Sequence, residues 1–395
     1  MGIRVAVVDD NPHVRWHDRV YPVNATFHRF LSGFLDLPGV PVASIVHAVP
    51  LRDLPPDAAE PATEPLDPRI RVVGTTPFDG IGGYLRRAPG IIAANTPILR
   101  AVIDDADLVW IKVPASNALL AGTLAAARRR PRFVWVAGSA RDVARARYPG
   151  AAGLPAAVVG AAYDALGRLV AVRGDRVVVG TGISRGEGVV TSLVEAHEVR
   201  RTPRRAWSPG DPTLTLAWAG QLVEGKGLEE LFDALALLRG GPPVVRLLVV
   251  GDGPARAALA ARASALGLAA EVDWRGYVAD RAAYLDALAS ADAFIFPSRA
   301  EGFPKVILDA MAVGLPVLAV PAGSVAELVR AGLVAAIEPA DRTGLAEAVR
   351  ALISQPAAGA RSVEAASAFV AAHTRTAEAE RVVDHWRRRW PRLAL

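Results

Sequence analysis

Short apolar runs, most of them continuous rather than alternating, recur along the whole chain and are separated by stretches with helical spacing. The first series covers residues 4–8, 42–46, 71–73, 108–113, 132–136 and 176–179. The second covers residues 214–218, 245–250, 271–274, 293–296, 316–320 and 333–336. Continuous apolar strands are those covered on both faces. Strand–helix alternation gives parallel sheets, so the predicted fold class is α/β, with two Rossmann-like doubly wound domains facing a central cleft.

The alternation breaks at residues 200–212, where three prolines and four arginines fall within thirteen residues. That composition reads as a linker. The expected organisation is a first Rossmann-like domain at 1–200, a linker at 201–212 and a second Rossmann-like domain at 213–362. A C-terminal helix within 363–395 is expected to pack back on the first domain.

The composition narrows the chemistry. The 395 residues are 52% hydrophobic and 22% charged, enough for large cores. There is no cysteine, which excludes disulfides, thiolate metal sites, cysteine nucleophiles and iron–sulfur clusters. The start of the chain, a short β-branched run ending in Asp9 and Asp10, does not read as a signal peptide. The longest apolar stretch, 151–172, is interrupted by Pro155, Asp164 and Arg168. It reads as a buried helix pair rather than a membrane span, and a soluble, cytoplasmic protein is expected. The net charge of +5 is too modest to suggest nucleic-acid binding. Arg128, Arg129, Arg130, Arg132, Arg141, Arg145 and Arg147 form a local basic cluster. It suits weak peripheral contact with an anionic inner-membrane surface, or is ordinary solvated surface.

Ligands of doubly wound domains bind beyond the carboxyl ends of the strands, so the strand-to-helix turns carry the candidate chemistry. Only three lysines occur, Lys112, Lys226 and Lys305, and two lie in such turns. Gly220-Gln221-Leu222-Val223-Glu224-Gly225-Lys226-Gly227 places a cation at a helix start, where anions are already favoured. Gly251-Asp252-Gly253-Pro254 imitates a dinucleotide fingerprint, but Arg256 stands where the third glycine belongs, so a tight turn is the better reading. The longest motif runs from Pro297 through Glu301-Gly302-Phe303-Pro304-Lys305 to Asp309 and on to Pro316-Val317. Eight helical residues separate Glu301 and Asp309 by about 12 Å. A glycosidase acid/base pair needs roughly 5–9.5 Å. The two carboxylates suit opposite ends of one elongated ligand instead.

As an ordered set these motifs, with Trp274-Arg275-Gly276-Tyr277-Val278 and Gly323-Ser324-Val325-Ala326-Glu327, resemble retaining glycosyltransferases of the GT-B fold, family 4 (glycosyl transferases group 1). The resemblance covers about residues 212–355. It implies transfer of a sugar from a nucleotide-diphosphate sugar co-substrate to an acceptor hydroxyl in carbohydrate biosynthesis. Catalytic roles fall on Lys226, for the diphosphate, and Glu301, for the sugar hydroxyls. The implied donor-binding set is Gly220, Gln221, Lys226, Gly251, Tyr277, Val278, Glu301, Gly302, Phe303, Pro304, Lys305 and Asp309, with the ribose at Asp309. Two residues depart from the family pattern: Asp309 replaces a glutamate, and Gln221 replaces an arginine beside the phosphates.

The acceptor is a small molecule, a glycan or a lipid-linked compound. Its candidate contacts are His13, Arg15, Trp16, His17 and Asp18, a polar turn after the first strand. His13 and His17 have the i,i+4 spacing that a metal uses on a helix; acceptor binding, proton handling and ordinary loop polarity are the other readings. No cofactor and no metal are expected. A GT-B nucleotide-sugar epimerase or hydrolase, and a catalytically silent sugar-nucleotide-binding partner, are the alternatives.

Overall fold

The apolar runs form strands because both faces are covered. In Ile3–Val8 (β1) every residue except Arg4 is buried. The computed structural model describes residues 2–61, 63–137, 141, 154–171, 175–179, 188–200, 207–299, 303–393 and 395. They form two units, Met1–Thr191 with Arg375–Leu395, and Ser192–Thr374.

In the first unit, β1 leads into a hairpin of His13–Trp16 (β2) and Arg19–Pro22 (β3), then a short helix, Thr26–Ser32 (α1). Val42–Asp53 (β4), Ile70–Thr75 (β5), Gly80–Asp104 (α2), Leu108–Val113 (β6) and Ala118–Ala127 (α3) follow. Arg132–Val136 (β7), Leu154–Ala171 (α4), Asp175–Val179 (β8) and Gly188–Val189 (β9) complete the series. The strands order as β3-β2-β4-β1-β6-β7-β8-β9, with β5 also paired to β4. Every pairing is parallel except β2 with β3.

The two faces of this sheet differ in chemistry. On one, Val8, Ala48, Val109, Ile111 and Val134 pack with Leu99 and Ile103 of α2 and the alanines of α3. The other face is aromatic. Trp110 and Trp135 meet Phe27 and Phe30 of α1 with ring centroids 5.5–6.5 Å apart, and Phe133 packs on Trp110 at 5.0 Å. Trp386 seals this layer from Arg375–Arg389 (α12), 5.6 Å from Phe34, 5.7 Å from Trp110 and 5.3 Å from Phe133.

The second unit repeats the plan without a hairpin. Thr213–Ala219 (β10), Leu228–Leu237 (α5), Val244–Val250 (β11), Arg256–Ala265 (α6), Val272–Gly276 (β12) and Arg281–Ala289 (α7) make its first half. Ala293–Phe296 (β13), Lys305–Ala312 (α8), Val317–Ala319 (β14), Val325–Arg330 (α9), Ala335–Ala336 (β15), Arg342–Ser354 (α10) and Pro356–Ala372 (α11) make the second. The parallel order is β12-β11-β10-β13-β14-β15. Leu216, Trp218, Phe232, Leu247, Val249, Ile295 and Leu345 anchor its core. In each unit the first strand, β1 or β10, sits where the connections change direction. Doubly wound sheets bind ligands at that switch point.

Three expectations need correction. The C-terminal helix is two helices, α11 and α12; the chain leaves helical geometry at His373 (φ −123°, ψ 41°). The stretch 151–172 yields one helix, α4, not a buried pair, and its Leu154, Val158 and Leu169 are exposed. The polar turn after β1 is the β2–β3 hairpin. Residues 201–206 of the expected linker lie outside the described residues. No helix among the described residues is long and apolar enough to cross a membrane.

Trp386 is fully buried, so Trp386→Ala should destabilise the protein by about 4 kcal/mol. Denaturant unfolding measures this, and a loss below about 1 kcal/mol would show that α12 is not held by this side chain.

Candidate functional site

The second unit's site is built on glycines. Gly220 (φ 156°) ends β10 and Gly251 (φ 136°) ends β11. A Cβ on Gly251 would stand 1.9 Å from the Gly220 carbonyl oxygen, and one on Gly253 2.3 Å from that of Leu222. No side chain fits, so the turns lie backbone on backbone. Gly220 N–H donates to Val250 O at 3.1 Å, Leu222 N–H to Asp252 O at 3.0 Å and Gly251 N–H to Gly276 O at 2.8 Å. The third fingerprint glycine is missing because these glycines serve turn-to-turn contact. That agrees with the tight-turn reading of 251–254.

Gly227 (φ 76°) caps α5. Its missing Cβ would lie 2.5 Å from Pro297 O at the end of β13. This clamps the Lys226 turn to the switch point between β10 and β13. Lys226 is half-buried there and Gln221 exposed. Tyr277 and Val278 follow β12, with Tyr277 exposed. Phe303, Pro304 and Lys305 lead into α8, which starts directly after Pro304. Glu301 and Gly302, the sugar-end candidates, lie outside the described residues.

Asp309 is placed differently from a solvated helix residue. It is buried, its Oδ1 accepts from Arg281 Nη2 at 2.8 Å, and its Oδ2 accepts from the Tyr284 hydroxyl at 3.2 Å. Arg281 also donates to both oxygens of Glu198, at 3.0 Å each. The carboxylate therefore braces α7 against α8. A carboxylate has about four acceptor positions, which leaves room for hydroxyl donors. Burial alone would raise the Glu198 carboxyl, but hydrogen bonds from Arg281 and the Glu195 N–H, with the Arg281 charge, outweigh it and hold Glu198 below its usual range. Burial opposes the Arg281 charge, yet the two carboxylates raise its pKa well above the ordinary value.

Sequence reading missed Arg281, Tyr284 and Glu198. The signal was an arginine in the first turn of a helix, where the macrodipole disfavours a cation. Only nearby carboxylates make that position favourable.

At the switch point of the first unit a different set converges. Asp9 Oδ2 pairs with Lys112 Nζ at 3.0 Å. Asp10 Oδ2 accepts from the Ser116 backbone N–H and, at 3.5 Å, from the Tyr163 hydroxyl, which also bonds the Ser116 hydroxyl. Burial raises the Asp10 carboxyl; hydrogen bonds from Ser116 offset part of the shift and the Asp9 charge adds to it. Burial, then the Asp10 charge, raise Tyr163. Beside them Asn95 Nδ2 donates to Asn117 Oδ1 at 3.1 Å.

The sequence-predicted acceptor residues do not form one cluster. His13 is buried on β2, and its Nδ1 bonds Asn11 O at 2.8 Å. Arg15 pairs with Asp53 at 3.1 Å and Trp16 Nε1 donates to Ala58 O at 2.9 Å. His17 (φ 52°) and Asp18 are exposed in the hairpin turn. β2 is a strand, so the i,i+4 helical chelate of His13 and His17 does not exist. In the basic cluster, Arg128 pairs with Asp104 and Arg130 donates to Asp104 O at 2.6 Å; Arg145 and Arg147 lie outside the described residues.

Comparison with known proteins fits this geometry. Residues 213–355 match the family model described as Glycosyl transferases group 1. A GDP-mannose-dependent alpha-(1-6)-phosphatidylinositol dimannoside mannosyltransferase of Mycobacterium tuberculosis is 31% identical over 195 residues, 46% of this chain and 50% of that protein. A glycogen synthase of the same organism is 31% identical over 182 residues, 46% of this chain and 44% of its own length. The chain thus spans about half the length of the curated relatives it matches. A sucrose-phosphate synthase from Thermosynechococcus elongatus superposes with a TM-score of 0.68 at 15% identity, covering 98% of this chain and 99% of its own. HepE from Anabaena, in complex with UDP, superposes at 0.64 with 18% identity, covering 98% and 99%. The chain has the GT-B fold. Within it, residues 213–355 are similar to the glycosyl transferases group 1 family.

Arg281→Met leaves Glu198 and Asp309 as partly buried carboxylates without their cation. It should cost about 3 kcal/mol in denaturant unfolding at pH 7. Because Glu198 is held below its usual range, its contribution is present at neutral pH and lost as pH falls through the lowered value. The variant should lose this acid-side decline, and an unchanged pH–stability profile would contradict the pairing.

Proposed function

We propose that the chain is a retaining glycosyltransferase that moves a sugar from a nucleotide-diphosphate sugar to an acceptor hydroxyl. The observation that carries this reading is the set of glycine turns at the carboxyl edge of β10, β11 and β12, with Lys226 fixed beside the switch point. The match of residues 213–355 to the group 1 family model supports it, as do the relatives, among them a named mannosyltransferase and a glycogen synthase.

In this reading the donor lies on the second unit. Lys226 meets the charge that grows on the leaving diphosphate. A cation fixed before the reaction costs no reorganisation when that charge develops. Glu301 holds the sugar hydroxyls, Asp309 the ribose, and Tyr277 and Val278 border the base. No residue next to Lys226 is an evident nucleophile. The leaving diphosphate itself takes the acceptor's proton, with attack on the same face. The donor block has no Asp-x-Asp pair, so phosphate charge is met by Lys226 and the α8 start rather than by an oxygen-ligated cation. The acceptor binds the first unit, where Asp10, Ser116 and Tyr163 supply polar groups beyond β1 and β6.

Lys226→Ala should lower turnover by about 10²-fold or more, assayed as nucleotide diphosphate release with and without candidate acceptors. Near-normal turnover would remove Lys226 from the mechanism. Release that needs no acceptor would assign hydrolysis instead. Glu301→Gln should impair sugar discrimination while leaving free-nucleotide affinity intact; the reverse pattern, read by calorimetry, would exchange the sugar and nucleotide ends. Omitting magnesium and manganese should leave turnover unchanged, and strict dependence on either would point to a cation-held diphosphate.

A further inference from the structure

Three histidines that sequence reading did not group meet inside the first unit. His13 comes from β2, His28 from α1 and His47 from β4. One ring nitrogen of each lies within 4.8 Å of those of the other two. Their exposures are 2%, 4% and 1%. The His13 and His47 rings meet edge to face at 5.5 Å, and those of His28 and His47 stack at 6.0 Å.

As a purely structural cluster this arrangement is costly. Among the described residues, His13 Nε2 and both nitrogens of His28 and of His47 have no hydrogen-bond partner. Each such buried group costs roughly 1–3 kcal/mol, and three apolar residues would fill the same space without that loss. The nitrogens are nevertheless prepared as lone-pair donors. Asn11 O can only accept, so the His13 nitrogen bonded to it, Nδ1, carries the proton and Nε2 is the free donor. Metal-bound histidines characteristically have such a carbonyl partner. Burial lowers the pKa of all three rings, His28 to about 4. The nearest charges cancel: Asp9, 3.8 Å from His47 Nε2, is paired with Lys112 at 3.0 Å. Lys112 also lies 4.4 Å from the centroid of Phe27.

We propose that His13, His28 and His47 bind a divalent transition-metal ion, zinc foremost, tying β2, α1 and β4 together. Three imidazoles with one further position are an established zinc donor set, and nitrogen donors favour zinc, cobalt and nickel over magnesium or calcium. With three neutral ligands, the fourth position favours an anion, hydroxide or a carboxylate. The site belongs to the first unit, Lys226 to the second, and the proposal does not depend on the glycosyl-transfer reading.

The test uses the full chain, stripped of metal and titrated with zinc or cobalt. We expect about one ion per chain and a higher Tm. Zinc X-ray absorption of the wild-type protein should show a shell of three imidazole nitrogens at about 2.0–2.1 Å. His28→Phe and His47→Phe keep an aromatic ring in place. Each should weaken zinc affinity by at least about 100-fold, the upper end of what losing an outer-shell partner costs. His17→Gln, in the exposed turn, should bind as wild type does. A folded wild-type chain that takes up no stoichiometric zinc overturns the proposal. So does uptake unchanged in both phenylalanine variants, or a shell made of oxygen. Should the variants fail to fold, the wild-type stoichiometry and absorption spectrum decide alone.

Discussion

A Cβ atom at Gly251 would come 1.9 Å from the Gly220 carbonyl oxygen, and that exclusion shapes the second unit. The turns beyond β10, β11 and β12 lie backbone on backbone, tied by the hydrogen bonds of Gly220, Leu222 and Gly251. Strand ends packed this closely meet through backbone rather than side chains. Gly227 applies the same logic to the next contact, holding the start of α5 against Pro297. The position of the Lys226 turn follows from the steric exclusion at these glycines.

The first unit uses the same topology for a different chemistry. Its strand β1 also lies at a reversal of strand order, but the turn beyond it holds two consecutive aspartates instead of glycines. Asp10 is pushed toward its protonated form by burial, beside a tyrosine and a serine. Below the sheet, the aromatic layer around Trp110 joins α1 and α12 to the strands. One face of β1 and β6 therefore contributes stability, while their carboxyl ends carry polar groups.

The strands of both sheets were legible because residues buried on both faces leave continuous apolar runs. The β2–β3 hairpin was not. Its two strands are only four residues each and mix Val14, Trp16, Val20 and Tyr21 with His13, Arg15 and Arg19, so no apolar run stands out, and β2 is held by pairing to the far end of the long β4. The break between α11 and α12 carries neither glycine nor proline, so helical spacing ran through it. Lys226 and the glycine turns were recognisable because their chemistry lies in consecutive residues. The Glu198–Arg281–Asp309 triad and the histidine trio join residues far apart in sequence. A lone histidine within the apolar run of β4 resembles an ordinary core residue until the fold brings two more beside it.

The central claim is that the carboxyl edge of the second sheet binds a nucleotide-diphosphate sugar. Thermal unfolding of the full chain against UDP-, GDP- and dTDP-sugars tests it most directly. At 100 times its dissociation constant the correct donor should add roughly 2.7 kcal/mol of stability, with a selective rise in Tm for one base. No shift with any sugar nucleotide at millimolar concentration would contradict the account.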